Sequence, residues 1–325
     1  MSKSPSSLGS PWIELRLWRQ FLAVADELHF GRAAQRLHMT QPPLTQAIAL
    51  LEAHLGIRLF DRTKRSVQLT VAGAALVPEA RDLLARALAL PGFARASADG
   101  KAGRLRLAFV STVGFELLPQ WVRGFRALYP QVQLELIEAT GDQQLQSLDR
   151  ADIDAGFMLH SPGFVPPGLA SVLIVREPLV LALAEHHALA SSGTLDLLQV
   201  LEEPLVCFPR RILPSLHDAI VGLYHAAGRS PLVAQEAIQM QTIVNLVAAG
   251  LGVAWVPDSV RQFQRTGVVY RALSQREAGE LPDVPSCETS LVWRQDKASA
   301  SLQHFIAFVA GSPAQPIRSF IDSNR

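Results

Sequence analysis

Two groups of residues have types and spacings that suggest chemistry. The first is Thr40-Gln41-Pro42-Pro43-Leu44-Thr45-Gln46, followed by the cationic run Arg62-Thr63-Lys64-Arg65. Glutamine can bond adenine at two points, and threonine offers a base edge both a hydroxyl and a methyl. Arg62, Lys64 and Arg65 are suited to neutralising phosphate. Thr40 is a good helix N-cap. Pro42 and Pro43 follow in the first turn, where a missing N–H costs nothing, and a helix start itself favours a phosphate. Arg32 and Thr63 complete this candidate set, which has the chemistry of duplex DNA recognition.

The second group is scattered: Ser111, Thr112, Thr140, Met158, Phe208, Arg210 and Gln239. Each follows or ends an apolar run that reads as a strand, or precedes a helix. Hydroxyls beside helix N-terminal N–H groups suit a carboxylate, and ligands of open α/β sheets sit beyond the carboxyl ends of strands. Arg210 would act as a carboxylate clamp. Ser and Thr at these places also serve as plain caps, and Phe208 fits a core equally well.

Other candidates carry less. His186-His187 are adjacent, and neighbours in a strand or turn point apart, so no shared metal ion is expected. Two cysteines, Cys207 and Cys287, make neither a disulfide framework nor a four-cysteine zinc site and read as reduced thiols. No nucleophile elbow, Walker loop or dinucleotide fingerprint is present. Gly250-Leu251-Gly252 follows a helix and reads as its C-cap. Nothing pairs Cys207 with His217. No catalysis and no cofactor are expected.

The elements that must position the first group are short helices. Leu17, Phe21, Val24 and Leu28 repeat at helical spacing over 15–28. His29-Phe30-Gly31 breaks that helix, and a second covers Arg32–Leu37. A third runs from Thr40 to about His54, with Leu44, Ile48, Leu51 and Leu55 on one face and Gly56 ending it. The helix-turn-helix so formed spans about 30–49. Its second helix would enter the major groove. Residues 57–70 alternate around the cationic run as a β-hairpin, a wing along the DNA backbone. Thr70 can cap a long helix from Val71 to about Leu90, with Leu76, Leu83, Ala87 and Leu90 as an apolar stripe. Such a stripe often pairs with a second copy. Pro91-Gly92 ends or bends it, and Ala94–Gly103 reads as a linker.

From Arg104 the pattern becomes strands alternating with helices, which argues for parallel α/β structure. Strands are read at 105–110, 132–139 and 152–159. A second such region opens at 179–184 and continues with 204–208, a helix at 214–227, a strand at 232–237, a helix at 241–250 and a strand at 252–256. A strand at 289–294 and a helix at 299–310 close the chain. Two such lobes imply a cleft between them.

The chain has 325 residues, 49% hydrophobic and 18% charged, which excludes a disordered protein. The net charge of +1 conceals an asymmetry: residues 1–97 hold 12 Lys and Arg against 7 Asp and Glu, whereas the remainder is acidic. A basic end on an acidic body suits a polyanion partner at that end. The Ser- and Pro-rich start is no signal peptide, and no apolar run approaches the roughly 20 residues that span a bilayer. A cytoplasmic protein without membrane contact is expected.

FGRAAQRLH, TQPPLTQ, LLEAHLG and LFDRTKR, in that order within residues 12–78, resemble the DNA-binding region of the LysR-type transcriptional regulators. LLPQWVRGFRALYP, VQLELIEA and LVAAGLGVAWVP resemble that family's effector-binding domain. The Ser- and Pro-rich residues 1–11 read as a disordered tail, and the resemblance implies a winged helix-turn-helix at 12–70. A dimerisation helix would follow at 71–97, then a two-lobed periplasmic-binding-protein-like α/β domain at 98–312 and a tail at 313–325. Lobe I would take 104–177 and 275–312, and lobe II 178–274. The expected partners are double-stranded promoter DNA, a small-molecule effector, a second copy joined through residues 71–90 in a dimer of dimers, and RNA polymerase. Gln41, Pro42, Thr45 and Arg65 fall where the family contacts DNA, and Ser111 and Thr140 where members that bind organic acids hold them. Many members carry Ser-Arg where this chain has Thr45-Gln46. Base preference is therefore expected to differ.

The leading expectation is a sequence-specific DNA-binding transcriptional regulator. Its promoter-binding geometry would be controlled by a small organic or aromatic acid between the lobes. The alternatives are a solute-binding protein or an enzyme built on the α/β body. The basic N-terminal unit separates the first from both, since its DNA affinity should fall steeply with salt.

Overall fold

The computed structural model describes residues 12–63, 66–115, 117–164, 166–273 and 282–311. Both expected tails, Lys64 and Arg65 lie outside these residues, as does all of 274–281. The chain divides into two compact units, with the boundary after Arg95.

The first unit begins with α1 (Leu15–Glu27), α2 (Phe30–Arg36) and α3 (Gln41–Leu55). Leu17, Phe21 and Val24 of α1 are buried as their spacing predicts. Leu28 is not on that face. It sits in the left-handed region at φ 45° and ends the helix. His29 does not merely interrupt: its Nδ1 accepts the Arg32 N–H at 3.2 Å, so it caps α2, which takes in Phe30 and Gly31. Leu44, Ile48 and Leu51 of α3 face Phe21, with Leu55 half-buried. Gly56 ends α3 at φ 68°, where a side chain would be strained.

The hairpin is β1 (Phe60–Arg62) against β2 (Val67–Leu69), with Phe60 opposite Leu69. Phe60 anchors it, its ring 5.6 Å from Phe21 and 6.0 Å from Phe30. Thr70 Oγ1 accepts the Gly73 N–H at 3.0 Å and so caps α4 (Val71–Ala98). Gly73 is required here because a Cβ would stand 2.1 Å from the Leu59 carbonyl oxygen. The helix does not stop at Pro91. It runs through Pro78 and Pro91 to Ala98, and the expected linker shrinks to three residues before the next strand. Each proline forfeits one backbone bond, and both lie on exposed turns.

The second unit opens with β3 (Ala102–Phe109), α5 (Ser111–Gly114), α6 (Leu117–Leu128), β4 (Gln131–Glu138), α7 (Gly141–Arg150) and β5 (Ala155–His160). β3 pairs in parallel with β4 and β5. Then come β6 (Ala170–Ala184), α8 (Leu197–Val200), β7 (Leu205–Cys207), α9 (Pro214–Ala226), β8 (Val233–Glu236), α10 (Met240–Ala248) and β9 (Ala254–Pro257). β10 (Val268–Arg271), β11 (Ser286–Trp293) and α11 (Ala300–Gly311) complete it.

The sheet is mixed, not purely parallel. Its order is β10-β6-β11-β5-β3-β4, with β9 also on β6, and every pairing of β6 and β11 is antiparallel. β6 has 15 residues and extends well before the apolar run at 179–184, which is cut off in sequence by Arg176, Glu177 and Pro178. Pro178 is tolerated where β6 changes partner: it faces Ser286 of β11, and Leu179 faces Pro257 of β9. The change of partner divides the unit into two lobes with separate cores. One centres on Trp121 and Phe157, stacked at 4.8 Å. The other centres on Tyr224, Val244 and Trp255.

A buried polar group lies near the change of partner. Glu288 accepts the Gly163 N–H at 3.0 Å and Arg176 Nε at 2.7 Å. His160 Nε2 lies 2.9 Å from Ser290 Oγ. Among the described residues no helix is long and apolar enough to cross a membrane.

Candidate functional site

In the first unit the start of α3 is presented to solvent. Thr40, Gln41, Pro42, Pro43 and Gln46 are exposed, Thr45 is half-buried, and Leu44 points inward. Thr40 holds the N-cap position, but its side chain makes no capping bond, and the prolines alone set the first turn. Thr45 Oγ1 donates to the Gln41 carbonyl at 3.1 Å, which leaves its methyl and an oxygen lone pair for a ligand. Gln41 and Gln46 are the side chains here best suited to reading a base edge.

The candidate cations are unequal. Arg32 Nε bonds the Glu27 carboxylate at 3.2 Å, and its Nη2 bonds the Glu27 carbonyl at 2.5 Å. Arg62 donates to Glu52 Oε2 at 3.2 Å and stands 4.6 Å over the Phe30 ring. It therefore braces the wing as well as charging it. Thr63 closes the turn, its N–H donating to the Ser66 carbonyl at 2.9 Å.

Sequence reasoning missed Glu52. Its Oε1 accepts the N–H groups of Leu59 and Phe60 at 2.8 and 3.2 Å, while Oε2 takes Arg62. One carboxylate thus ties the strand of the wing to the back of α3. No local pattern marks it, since its partners lie seven to ten residues away.

In the second unit a cleft open to solvent lies between the lobes. Lobe I supplies Val110, Ser111, Thr112, Ala139, Thr140, Gly141 and Leu159. Lobe II supplies Phe208, Ile212, Leu213, Ile238, Gln239, Met240 and Ile243. Ser111, Thr112, Thr140, Phe208 and Gln239 of the expected set come together here.

Met158 does not line the cleft. Its side chain packs beneath Gly141 in a small core with Ala108 and Leu148. Successive residues of a strand face opposite ways, so Leu159 lines the cleft and Met158 does not. Arg210 is also not a lining residue. It is exposed and bonded to Asp218 of α9 at 2.7 Å through both Nε and Nη2. The same pair raises the Arg210 pKa and lowers that of Asp218. The apolar wall from Ile212, Ile238 and Ile243 was not foreseen, although Met240 and Ile243 are one helical turn apart.

Gln144 shapes the floor of this region. Fully buried, it donates from Nε2 to the carbonyls of Ala139 and Phe157 at 2.9 and 3.1 Å. The hydroxyl of Thr112 is buried without a hydrogen-bond partner.

Neither cysteine is a nucleophile. Burial, helped by Glu236, pushes the Cys207 thiol up to about 11, and burial raises Cys287 well above the ordinary thiol range. His187 caps a turn through Nδ1 and lies 3.4 Å from Glu203. Among the described residues no cluster of three or more His, Cys, Asp or Glu could hold a metal ion.

Comparison with known proteins agrees with both halves of this geometry. Residues 15–74 match the family model of the bacterial regulatory helix-turn-helix protein, lysR family, and residues 98–313 that of the LysR substrate binding domain. The chain is 43% identical over 305 residues to the HTH-type transcriptional regulator IlvR of Caulobacter vibrioides, covering 94% of this chain and 100% of that protein. It is 32% identical over 294 residues to the HTH-type transcriptional regulator ClcR of Pseudomonas putida, covering 90% and 97%. Among solved structures it resembles CbnR, a LysR family transcriptional regulator, at a TM-score of 0.62 and 30% identity over 91% of this chain and 99% of that one. Full-length CbnR complexed with its target DNA gives a TM-score of 0.63 at 30% identity, over 91% and 98%. The chain belongs to the LysR family of transcriptional regulators, as a non-enzymatic DNA-binding protein with an effector-binding domain.

Proposed function

We propose that this regulator reads promoter DNA through the start of α3 and the wing, and that a small organic or aromatic acid in the interlobe cleft controls the geometry of that binding. The observation that carries the reading is the cleft itself. Residues of both lobes line it, and they combine three hydroxyl side chains with an apolar wall. A ligand held by both lobes binds one lobe arrangement better than another, which is the requirement for shifting a population. CbnR has been solved on its target DNA, and the same use is inferred here for Gln41, Pro42, Thr45, Gln46, Arg62, Lys64 and Arg65.

A second copy would be recruited through residues 71–90. Leu83, Leu88 and Leu90 are exposed along α4, which suits a helix that buries them against another chain. Assembly as a dimer of dimers is part of the same proposal. A solute-binding role is disfavoured because the basic helix-turn-helix unit would then have no use.

The test has two arms. Full-length protein is used to select binding sites from randomised duplexes, and affinity is measured against salt. Removing Arg62, Lys64 and Arg65 together should weaken every sequence and reduce the log–log salt slope by about 3. Gln41→Ala and Gln46→Ala should instead alter the selected sequence. In the second arm, thermal shift with small acids should reveal a ligand whose addition changes the DNA footprint. Wing substitutions without effect on affinity would refute the DNA docking. A confirmed cleft ligand that leaves the footprint unchanged would refute the control mechanism.

A further inference from the structure

We propose that the joint between the two units lies inside α4, at Pro91-Gly92, and that Gly100 and His304 clamp the last turn of this helix to the lobe I core. The short link between α4 and β3 is then a fixed corner and not the hinge.

Helix α4 falls into three parts with different surroundings. Its start is packed on the first unit. Leu76 and Val77 lean on that unit's core, Ala80 is buried in it, and Arg81 Nη2 donates to Asp26 of α1 at 2.5 Å. Pro78 sits within this part, where packing holds the helix on both sides of the missing backbone bond.

The end of α4 belongs to the second unit, whose boundary falls after Arg95. It closes with the paired bonds of a glycine C-cap. The Lys101 N–H donates to the Ala96 carbonyl at 2.7 Å, and the Gly100 N–H to the Ser97 carbonyl at 3.1 Å. Gly100 lies at φ 70° and is buried against the first turn of α11. A Cβ there would stand 2.4 Å from the Ala300 carbonyl carbon and 2.5 Å from the Ser301 nitrogen. The Asp99 carbonyl, one of those a helix end leaves over, accepts His304 Nε2 at 2.9 Å. Tyr129 stacks on the His304 ring at 4.9 Å. α11 itself is rooted in the lobe I core through Leu302, Phe305 and Val309.

Between these two anchored parts every residue from Leu88 to Arg95 is exposed. The stretch is shorter than the roughly 12 residues at which an isolated helix becomes stable. Proline and glycine, the two poorest helix formers, stand side by side in it. Pro91 cannot donate to the Ala87 carbonyl. A Cβ on Gly92 would meet nothing within 4 Å, so packing does not call for glycine there. The stripe proposed above for a second copy stops at Leu90 and leaves Pro91-Gly92 unbraced. Motion between the units is taken up where fewest contacts resist it, and that is this bare stretch.

The experiment places nitroxide labels on introduced cysteines in the full chain, diluted into excess unlabelled chain. Pulsed electron paramagnetic resonance reads the distance distributions. The pair at Glu79 and Arg126 spans the bare stretch and the clamp, and the pair at Arg95 and Arg126 spans the clamp alone. The first distribution should be about twofold or more wider than the second. Pro91→Ala with Gly92→Ala should narrow the first to the width of the second and slow amide exchange over residues 88–95 about tenfold or more. His304→Ala should widen the second distribution, whereas His304→Gln, which keeps an N–H donor, should not. A second distribution as wide as the first, or a first that the paired alanines leave unnarrowed, overturns the position of the joint. A second distribution unaltered in His304→Ala overturns the clamp. Neither readout depends on the effector.

Discussion

The Glu52 carboxylate permits a quantitative forecast. It makes two hydrogen bonds to the Leu59 and Phe60 N–H groups and one to Arg62. Its side chain is only 15% exposed, and Leu59 and Phe60 are buried. Hydrogen bonds to a charged acceptor contribute about 1.5–3 kcal/mol each, and a buried donor left unpaired loses a comparable amount. The Arg62 pair is partly solvated and adds at most about 1 kcal/mol. Water will reach part of the gap left by Glu52→Ala, so the expected loss is about 3 kcal/mol, near the bottom of the summed range. This loss is local, because the affected bonds hold the wing to α3 and leave the α1–α3 packing intact. Hydrogen exchange followed by mass spectrometry on a peptide covering residues 57–62 reads it directly. Exchange there should accelerate about a hundredfold, since each factor of ten is about 1.4 kcal/mol. Glu52→Gln keeps one acceptor oxygen and should accelerate exchange about tenfold or less. On the proposed docking, in which the wing meets phosphates and not base edges, DNA affinity should fall in the same order for all sequences. Unchanged exchange in Glu52→Ala would falsify the claim that this carboxylate clamps the wing.

Three further outcomes follow from the second unit. Gly156→Ala places a methyl 2.3 Å from Gln144 Oε1. Gln144 must then give up its bonds to Ala139 and Phe157, and calorimetry should show a melting temperature about 5–10 °C lower. For Glu288, burial alone would raise the pKa, but the Gly163 N–H and Arg176 outweigh it and hold the carboxyl below its ordinary 4.5. A depressed folded pKa contributes stability that is complete above the unfolded value and is lost as pH falls through the folded one. Glu288→Gln should therefore flatten denaturant stability against pH below 4.5 and leave its slope near neutrality alone. Finally, Cys207, pushed up to about 11, and the buried Cys287 should resist alkylation at pH 8 in the native protein and react in denaturant. Rapid native labelling at either site would contradict their burial.

What could be read from the chain alone was local. The α1 and α3 faces, the Pro42-Pro43 start, the hairpin about its cationic turn and the Thr70 cap depend on residues within a few positions of one another. Helical or strand periodicity records such relations. Five of the seven residues expected near a ligand reach the cleft for a related reason: they follow strand ends, Ser111, Thr112 and Thr140 those of β3 and β4 in the large sheet, Phe208 and Gln239 those of β7 and β8, which pair in a sheet of their own.

Tertiary structure decided the rest. Pro91 does not end α4, because an exposed helix can lose one backbone bond and continue. Pro178 does not break β6, because it falls where the strand exchanges β11 for β9. Arg210 was a plausible clamp until folding brought Asp218 of α9 beside it. Met158 and Leu159 are adjacent and similar in kind, and only the facing of β5 sends one to the core and the other to the cleft. Glu52 and Gln144 look like ordinary polar helix residues, and each becomes structural through backbone groups delivered from another element. A side chain's type states which bonds it can make. Which bonds it does make depends on partners brought together by burial of apolar faces distant in sequence, and that information enters only with the packed fold.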